Sequence, residues 1–239
     1  MENREFKNKL KQRAKKININ LNEEQLERFL LYKELLLSWN EKINLTAIKE
    51  DEDFITKHFI DSLTVVKYIK ENDRIIDIGT GAGFPGIPIK IIKNNHIVLF
   101  DSLNKRLKVL DDIIQKIHVS EIETLHGRAE ETFKNKEYRE KFDVATSRAV
   151  ANLNVLAEYM LPAITIGGIC ICMKSGNVEN EIEEAKKAIK ILGGKIDKIE
   201  KVILPETDIE RTIIIIKKIK STPSIYPRKP GTPTKEPIK

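Results

Sequence analysis

Arg74-Ile75-Ile76-Asp77-Ile78-Gly79-Thr80-Gly81-Ala82-Gly83-Phe84-Pro85-Gly86 decides how the rest of the chain is read. A β-branched apolar run ends in Asp77 and turns through three alternating glycines, the residue type needed where backbone bends sharply and approaches a ligand with no Cβ in the way. This predicts a strand followed by a ligand-facing turn. Outward from it, short β-branched runs alternate with amphipathic segments. Strands are expected at 75–78, 97–100, 122–125, 142–147 and 169–173, and helices at 86–93, 104–117, 152–161 and 178–191. That alternation implies a mainly parallel sheet covered on both faces, with right-handed crossovers. Two further strands, near 196–204 and 211–218, have no helix between them and should pair antiparallel. Upstream, residues 22–40 place Leu26, Phe29, Leu30, Leu36 and Leu37 at helical spacing behind an Asn22–Gln25 capping box, and 58–70 reads as a second helix. The chain thus divides into an N-terminal helical extension (1–70), a core (71–220) and a basic, proline-rich tail (221–239), whose prolines argue against regular helix or strand.

Composition sets the outer limits. The 239 residues are 41% hydrophobic and 33% charged, an ordinary globular balance. No run approaches the ~20 apolar residues of a membrane span, and the first residues lack the apolar core of a signal peptide, so a cytoplasmic protein without membrane association is expected. Nothing demands more than a monomer. Cys170 and Cys172, two apart on an expected strand, read as buried thiols rather than a disulfide or a metal site, and no metal is expected. The net charge of +6 is unevenly spread: residues 1–16 carry +5 and 217–239 carry +6, leaving −5 between them. Flexible basic ends could track a phosphate backbone, or could be merely solvated.

The glycine turn also matches the dinucleotide fingerprint as Gly81-x-Gly83-x-x-Gly86, so the pattern alone names no cofactor. Three considerations favour S-adenosyl-L-methionine. Pro85 and Pro88 remove amide donors where a pyrophosphate would need them. The cationic sulfonium and ammonium suit Asp77 beside the turn. The acid-x-Gly-x-Gly-x-Gly order, and the closing antiparallel hairpin, are those of methyltransferase sheets. The expected fold is therefore the class I methyltransferase form of the Rossmann-like α/β fold, with a seven-stranded sheet. Asp101, closing the second strand, is placed to accept hydrogen bonds from a ribose diol, with helix capping as the plainer alternative. The Gly127-Arg128-Ala129-Glu130 loop is expected near the adenine.

The chain resembles the glucose-inhibited division protein B family of bacterial small-subunit rRNA guanine-N7 methyltransferases. The resemblance is carried by Asn44-Leu-Thr-Ala-Ile48, Lys57-His-Phe-Ile-Asp-Ser-Leu63, the Asp77–Pro88 loop, Gly127–Glu130, Ser147-Arg-Ala-Val150, Met173-Lys-Ser-Gly176 and Tyr226-Pro-Arg-Lys-Pro-Gly-Thr-Pro233. The resemblance implies methylation at N7 of the guanine at position 527 of 16S rRNA, with 16S rRNA or the small ribosomal subunit as partner. It implies cofactor contacts at Gly79, Phe84, Ala129, Glu130 and Arg148, which join Asp77, Gly81, Gly83 and Asp101 from the pattern itself.

Guanine N7 carries an unprotonated lone pair, so its methylation requires alignment and no general base. No catalytic acid or base is therefore assigned. Arg148 is the candidate orienting residue, with a surface ion pair as the plainer reading. Lys174, Arg228 and Lys229 are candidate RNA phosphate contacts. His58 and Asp61, at i and i+3, read as a packing hydrogen bond before a catalytic pair, and Tyr32 and Trp39 as core. Two other readings stay open on these residues: a ribosome-assembly factor using the fold as an RNA-binding scaffold, and a methyltransferase for a protein or small molecule. A dehydrogenase is a more distant third.

Overall fold

The structure is a computed structural model and describes residues 1–176 and 178–238. Seven strands, β1 (Ile75–Ile78), β2 (Ile97–Asp101), β3 (Ile122–His126), β4 (Phe142–Arg148), β5 (Ile164–Ser175), β6 (Gly194–Ile203) and β7 (Glu210–Lys218), form one sheet in the order β3-β2-β1-β4-β5-β7-β6. The first five run parallel, and β7 lies antiparallel between β5 and β6. The closing hairpin is thus inserted so that its second strand, not its first, pairs with the parallel block.

Side-chain alternation explains why both faces are covered. Ile75, Leu99, Val144, Ile171, Ile213 and Ile215 belong to one apolar cluster, whereas their chain neighbours Ile76, Val98, Ala145, Cys170, Cys172, Ile214 and Ile216 belong to the other. Strands buried on both faces read as continuous apolar runs, as in Ile213–Ile216. Both cysteines are buried and free, as their spacing on one strand face led one to expect.

The helices are α1 (Asn3–Lys16), α2 (Glu23–Asn40), α3 (Asp51–Asp53), α4 (Asp61–Leu63), α5 (Gly86–Ile92), α6 (Asn104–Lys116), α7 (Ala129–Thr132), α8 (Leu153–Met160), α9 (Glu179–Ile191) and α10 (Thr232–Lys235). Asn22 and Gln25 close the capping box of α2 with both bonds formed. The helices before residue 70 have no core of their own: Phe6, Leu10, Phe29 and Tyr32 pack in the same cluster as Ile75, Leu99 and Val144.

Three expectations need correction. The helix expected at 58–70 begins at Asp51, runs through a π-helical segment (Phe54–Ile60) into α4, and ends before a 3-10 turn at Val66–Tyr68. Basic α1 is no free arm: Lys7 pairs with Glu27, and Arg13 with Glu52 and Glu206, while Phe6 and Leu10 are buried. The tail is not irregular throughout. Pro233 sits in the first turn of α10, where a missing N–H costs nothing, and Arg139 donates to the carbonyls of Thr222, Pro223 and Tyr226, fixing the tail's path across the core. No helix among the described residues is long and apolar enough to cross a membrane.

Candidate active site

A cavity of ≈650 Å³ opens at the C-terminal ends of β1, β2 and β4, where strand order reverses between β1 and β4. Open α/β sheets bind ligands at such a point because the loops from neighbouring strands part there. Its floor is the glycine bend. Gly79, Gly81 and Gly83 have φ of 70°, 60° and 97°, values an L-residue adopts only under strain.

Asp77 lies behind the bend and not in the cavity wall. Its carboxylate is fully buried and accepts three hydrogen bonds: Thr80 Oγ1 (2.7 Å), Gly86 N (3.0 Å) and, on its other oxygen, Thr146 Oγ1 (3.0 Å). Burial pushes its pKa up to about 6 despite those donors. The expectation that Asp77 meets the ligand directly is thereby revised: on a four-residue strand its side chain falls on the covered face with Ile75. It acts as a strut holding the bend.

The bend discriminates between cofactors more sharply than its sequence does. The amide of Gly86 donates to Asp77, that of Ile87 to the Gly83 carbonyl (2.8 Å) and that of Ile89 to the Pro85 carbonyl (3.1 Å), while Pro85 and Pro88 have none. No amide from 85 to 89 remains for a pyrophosphate, so the site suits a nucleoside ligand without phosphate. Asp101, at the end of β2, belongs to the same cavity. It lines the cavity, buried, with one oxygen accepting from Gly81 N (2.9 Å) and the other from Leu103 N (2.8 Å), which fixes both in place at the mouth of β2. The N-cap of α6 is Leu103, so the helix-capping alternative for Asp101 does not describe its bonds.

Phe84, Ala129, Glu130 and Arg148 also line this cavity. Glu130 accepts from the amide of Gly231 (3.0 Å), which brings the tail to the rim, and Gly231 and Thr234 line it too. Sequence reasoning missed those two and Tyr159, since their only signal is a fold-back of the tail over α8, and it missed Arg106, which α6 brings to Asp101.

A second cavity, ≈580 Å³, adjoins the first and shares with it His58, Arg148, Ala149 and Val150. Arg148 is the post between them. Its Nη1 donates to the carbonyl of Lys57 (2.9 Å) and pairs with Asp61 (3.3 Å), its Nη2 donates to His58 Nδ1 (3.1 Å), and its guanidinium lies 4.9 Å from the Phe84 ring centroid. The surface ion-pair reading fails for a side chain this enclosed, and burial draws its pKa below the ordinary arginine value. Ala149 follows at φ 55°, a left-handed conformation costly for a Cβ-bearing residue and common where a site over-determines the backbone.

His58, on the π-helical segment, stacks on Phe84 (4.2 Å, 9°) and bonds to Thr46 Oγ1 (2.8 Å), not to Asp61. Arginine only donates, so Nδ1 is the acceptor and the proton sits on Nε2. Burial and the charge of Arg148 press its pKa down to about 3 from 6.5. The unfolded chain therefore binds a proton below pH ~6.5 that the folded chain refuses, and this contribution to stability is complete above that pH and lost as pH falls toward 3. Asp77, raised from 3.8 to about 6, has the opposite sign: the folded state binds the proton first, and stability falls as pH rises through that window. We expect the destabilisation caused by His58→Gln to shrink by ~2 kcal/mol between pH 7 and pH 5, read from urea unfolding at each pH.

The phosphate candidates fare differently. Lys174 lines the second cavity but is committed to the Ala151 carbonyl and Glu181, so its assignment as a free RNA contact is corrected. Arg228 is likewise committed: its Nη2 and Nε hold both oxygens of buried Glu158 (2.7 and 3.0 Å) and its Nη1 donates to the Glu236 carbonyl. Lys174 is held by an acid seven residues on, Arg228 by one 70 residues back. Lys229 is exposed. Arg228→Ala should cost ~3 kcal/mol, because Glu158 is left buried without its cation and with the backbone amide of residue 228 as its remaining donor, and should raise the rate of proteolysis after residue 220. Unchanged proteolysis would show that the tail is held by other contacts. Arg211, at the start of β7, was not singled out in the sequence, yet it lines the second cavity beside Lys57.

Sheet order, hairpin and glycine-bend cavity together define a class I methyltransferase fold. Solved structures agree at the level of fold: a precorrin-6y C5,15-methyltransferase from Geobacter metallireducens (TM-score 0.51, 12% identity, covering 65% of this chain and 87% of that one). M. capricolum TrmK, solved with S-adenosyl-homocysteine, is comparable (TM-score 0.52, 22%, 68% and 69%). Within that class, the chain belongs to the GidB family, rRNA small subunit methyltransferase G, whose sequence model matches residues 25–210. A ribosomal RNA small subunit methyltransferase G of Clostridium novyi (strain NT) is 52% identical over 228 residues, 94% of each chain. The protein of the same name in Alkaliphilus oremlandii (strain OhILAs) is 48% identical over 238 residues, 98% of this chain and all of that one.

Proposed function

We propose that this protein methylates small-subunit rRNA at N7 of a guanine, the one at position 527 of 16S rRNA, with S-adenosylmethionine as donor. The observation that carries this reading is the pair of adjoining cavities divided by Arg148: one on the glycine bend, the other bordered by Lys57, Lys174 and Arg211. The first fits the donor: the start of α5 presents no free amides to a phosphate, Asp101 at the mouth of β2 is in position to accept from a ribose diol, and the nearest neighbour to a Cβ built on Gly81 is 3.9 Å away, leaving room above the bend. Asp101, Glu130 and the Gly79–Gly83 backbone would hold it. Bound there, S-adenosylmethionine supplies an electrophilic methyl carbon.

What the chain's own residues do is orient and exclude. His58 offers no lone pair for proton abstraction, because Nδ1 already accepts from Arg148 and Nε2 carries the proton. Glu181 is tied to Lys174 and the amide of Leu153. With its histidine unable to take a proton and Glu181 engaged, the wall suits a nucleophile that has no proton to lose, and guanine N7 is one. Holding it in line is worth roughly 7–11 kcal/mol of barrier. Lys57 and Arg211 at the second cavity, with exposed Lys229, meet the phosphate backbone, so affinity should fall steeply with salt.

The test is incubation of purified protein with small-subunit rRNA or particles and methyl-labelled donor, followed by mapping of N7-methylguanine by its selective strand cleavage. One labelled guanine is expected. Label on no rRNA, or on an exocyclic amine, would sink the reading.

A further inference from the structure

Asp61 carries an oxygen that nothing in the protein uses. The side chain is 3% exposed and lines the second cavity. Arg148 Nη1 (3.3 Å) and Arg211 Nε (3.2 Å) both converge on Oδ2, and Oδ1 has no hydrogen-bond partner. Buried polar atoms are paired in the great majority of cases, and the exceptions call for an explanation. Among the protein's other buried carboxylates, Asp77, Asp101 and Glu158 each have both oxygens engaged, and Glu130, bonded through one, leaves no oxygen both fully covered and unpartnered. A carboxylate kept only to pair with two arginines would gain by sharing them between its oxygens.

An idle acceptor in a cavity bordered by Lys57, Arg148 and Arg211, whose other carboxylate, Glu181, is tied to Lys174, asks for a ligand with N–H donors. Flipped bases are read on their Watson–Crick edges. Guanine alone among the RNA bases sets two N–H donors side by side there, N1–H and the 2-amino group, and a carboxylate matches that pair. Adenine and cytosine offer an amine beside an acceptor, and uracil one N–H between two acceptors. A base gripped by that edge keeps N7 unobstructed, and the shared Arg148–Val150 wall sets the first cavity on its other side.

We propose that Asp61 is the residue that reads the acceptor base, its carboxylate receiving N1–H and the 2-amino group of a flipped guanine while N7 faces the glycine-bend cavity. This rests on the rRNA methyltransferase reading above. Oδ1 is covered in this state, so entry of the base shifts Arg211, the more exposed of its two partners. Methylation at N7 leaves the base cationic, and a carboxylate on its far edge favours that charge.

The experiment compares RNAs in which the target guanine is kept, replaced by inosine, which lacks the 2-amino group, or replaced by 1-methylguanine, which lacks N1–H. Each is measured for affinity to the donor-free protein and for single-turnover methylation, with wild type and Asp61→Asn. Wild type is expected to lose about 10- to 100-fold on inosine, and more on 1-methylguanine, while Asp61→Asn is weak on guanine and shows no further loss on inosine. Wild type treating inosine as it treats guanine overturns the assignment, with no need of a folded variant. A penalty that persists in Asp61→Asn overturns it equally. Failure of the underlying reading looks different: wild type then methylates none of the RNAs.

Discussion

Asp77→Ala protein is expected to bind S-adenosylmethionine at least ~100-fold more weakly than wild type and to lose ~2–4 kcal/mol of stability. Removing the carboxylate strands three donors that face it, Thr80 Oγ1, Gly86 N and Thr146 Oγ1, in a buried region, and each orphaned group costs ~1–3 kcal/mol, part of it recovered by hydroxyl rotation. The bend then loses the tether that joins its first strand to the start of α5. Space is too short there for compensation: a Cβ on Gly86 would already lie 2.3 Å from Leu99 Cδ2 and 3.2 Å from Asp77 Cβ. Asp77→Asn keeps the shape but offers one acceptor oxygen in place of two, so a loss nearer tenfold is expected. pH separates them further. With its pKa at about 6, Asp77 is ionised at pH 7.5 and gains a proton as pH falls through that value, so wild-type affinity for the cationic donor should decline below pH 6 while that of Asp77→Asn stays level. Calorimetric titration across pH 5–8 measures both. Affinity unchanged in Asp77→Ala would reject the strut.

Arg148→Ala is expected to lower the methylation rate at least ~100-fold and to cost ~3–5 kcal/mol of stability. Its guanidinium satisfies the Lys57 carbonyl, Asp61 and His58 Nδ1 at once, and its removal leaves a buried carboxylate with Arg211 as its one cationic partner. Arg148→Lys should recover little of either, because an ammonium lacks the planar fork that spans three partners and lies against Phe84. Thermal melts and single-turnover rates decide this. Rates near wild type in Arg148→Ala would leave the partition between the cavities without a role.

Much of this was legible before any coordinates. Strand and helix positions follow from periodicity, which reports the environment of each residue, and a stretch such as Ile213–Ile216 admits no exposed face. The glycine bend, Asp101 and the 127–130 loop were also readable, because each is a local pattern in which a backbone need is met by adjacent residues. Where reading failed, the deciding contact was one that packing makes and a local pattern does not show. Asp77 was taken for a ligand contact because a pattern shows which residue follows a strand and not which face it turns to. Lys174 and Arg228 looked like free cations until Glu181 and Glu158 were brought to them, the second across 70 positions. His58 and Asp61 looked like each other's partners until Arg148, some 90 positions on, came between them. Local composition dictates elements, bend and family. Which charges are spent on the fold and which are left for a ligand depends on desolvation and pairing between distant segments, and these exist once the chain is packed.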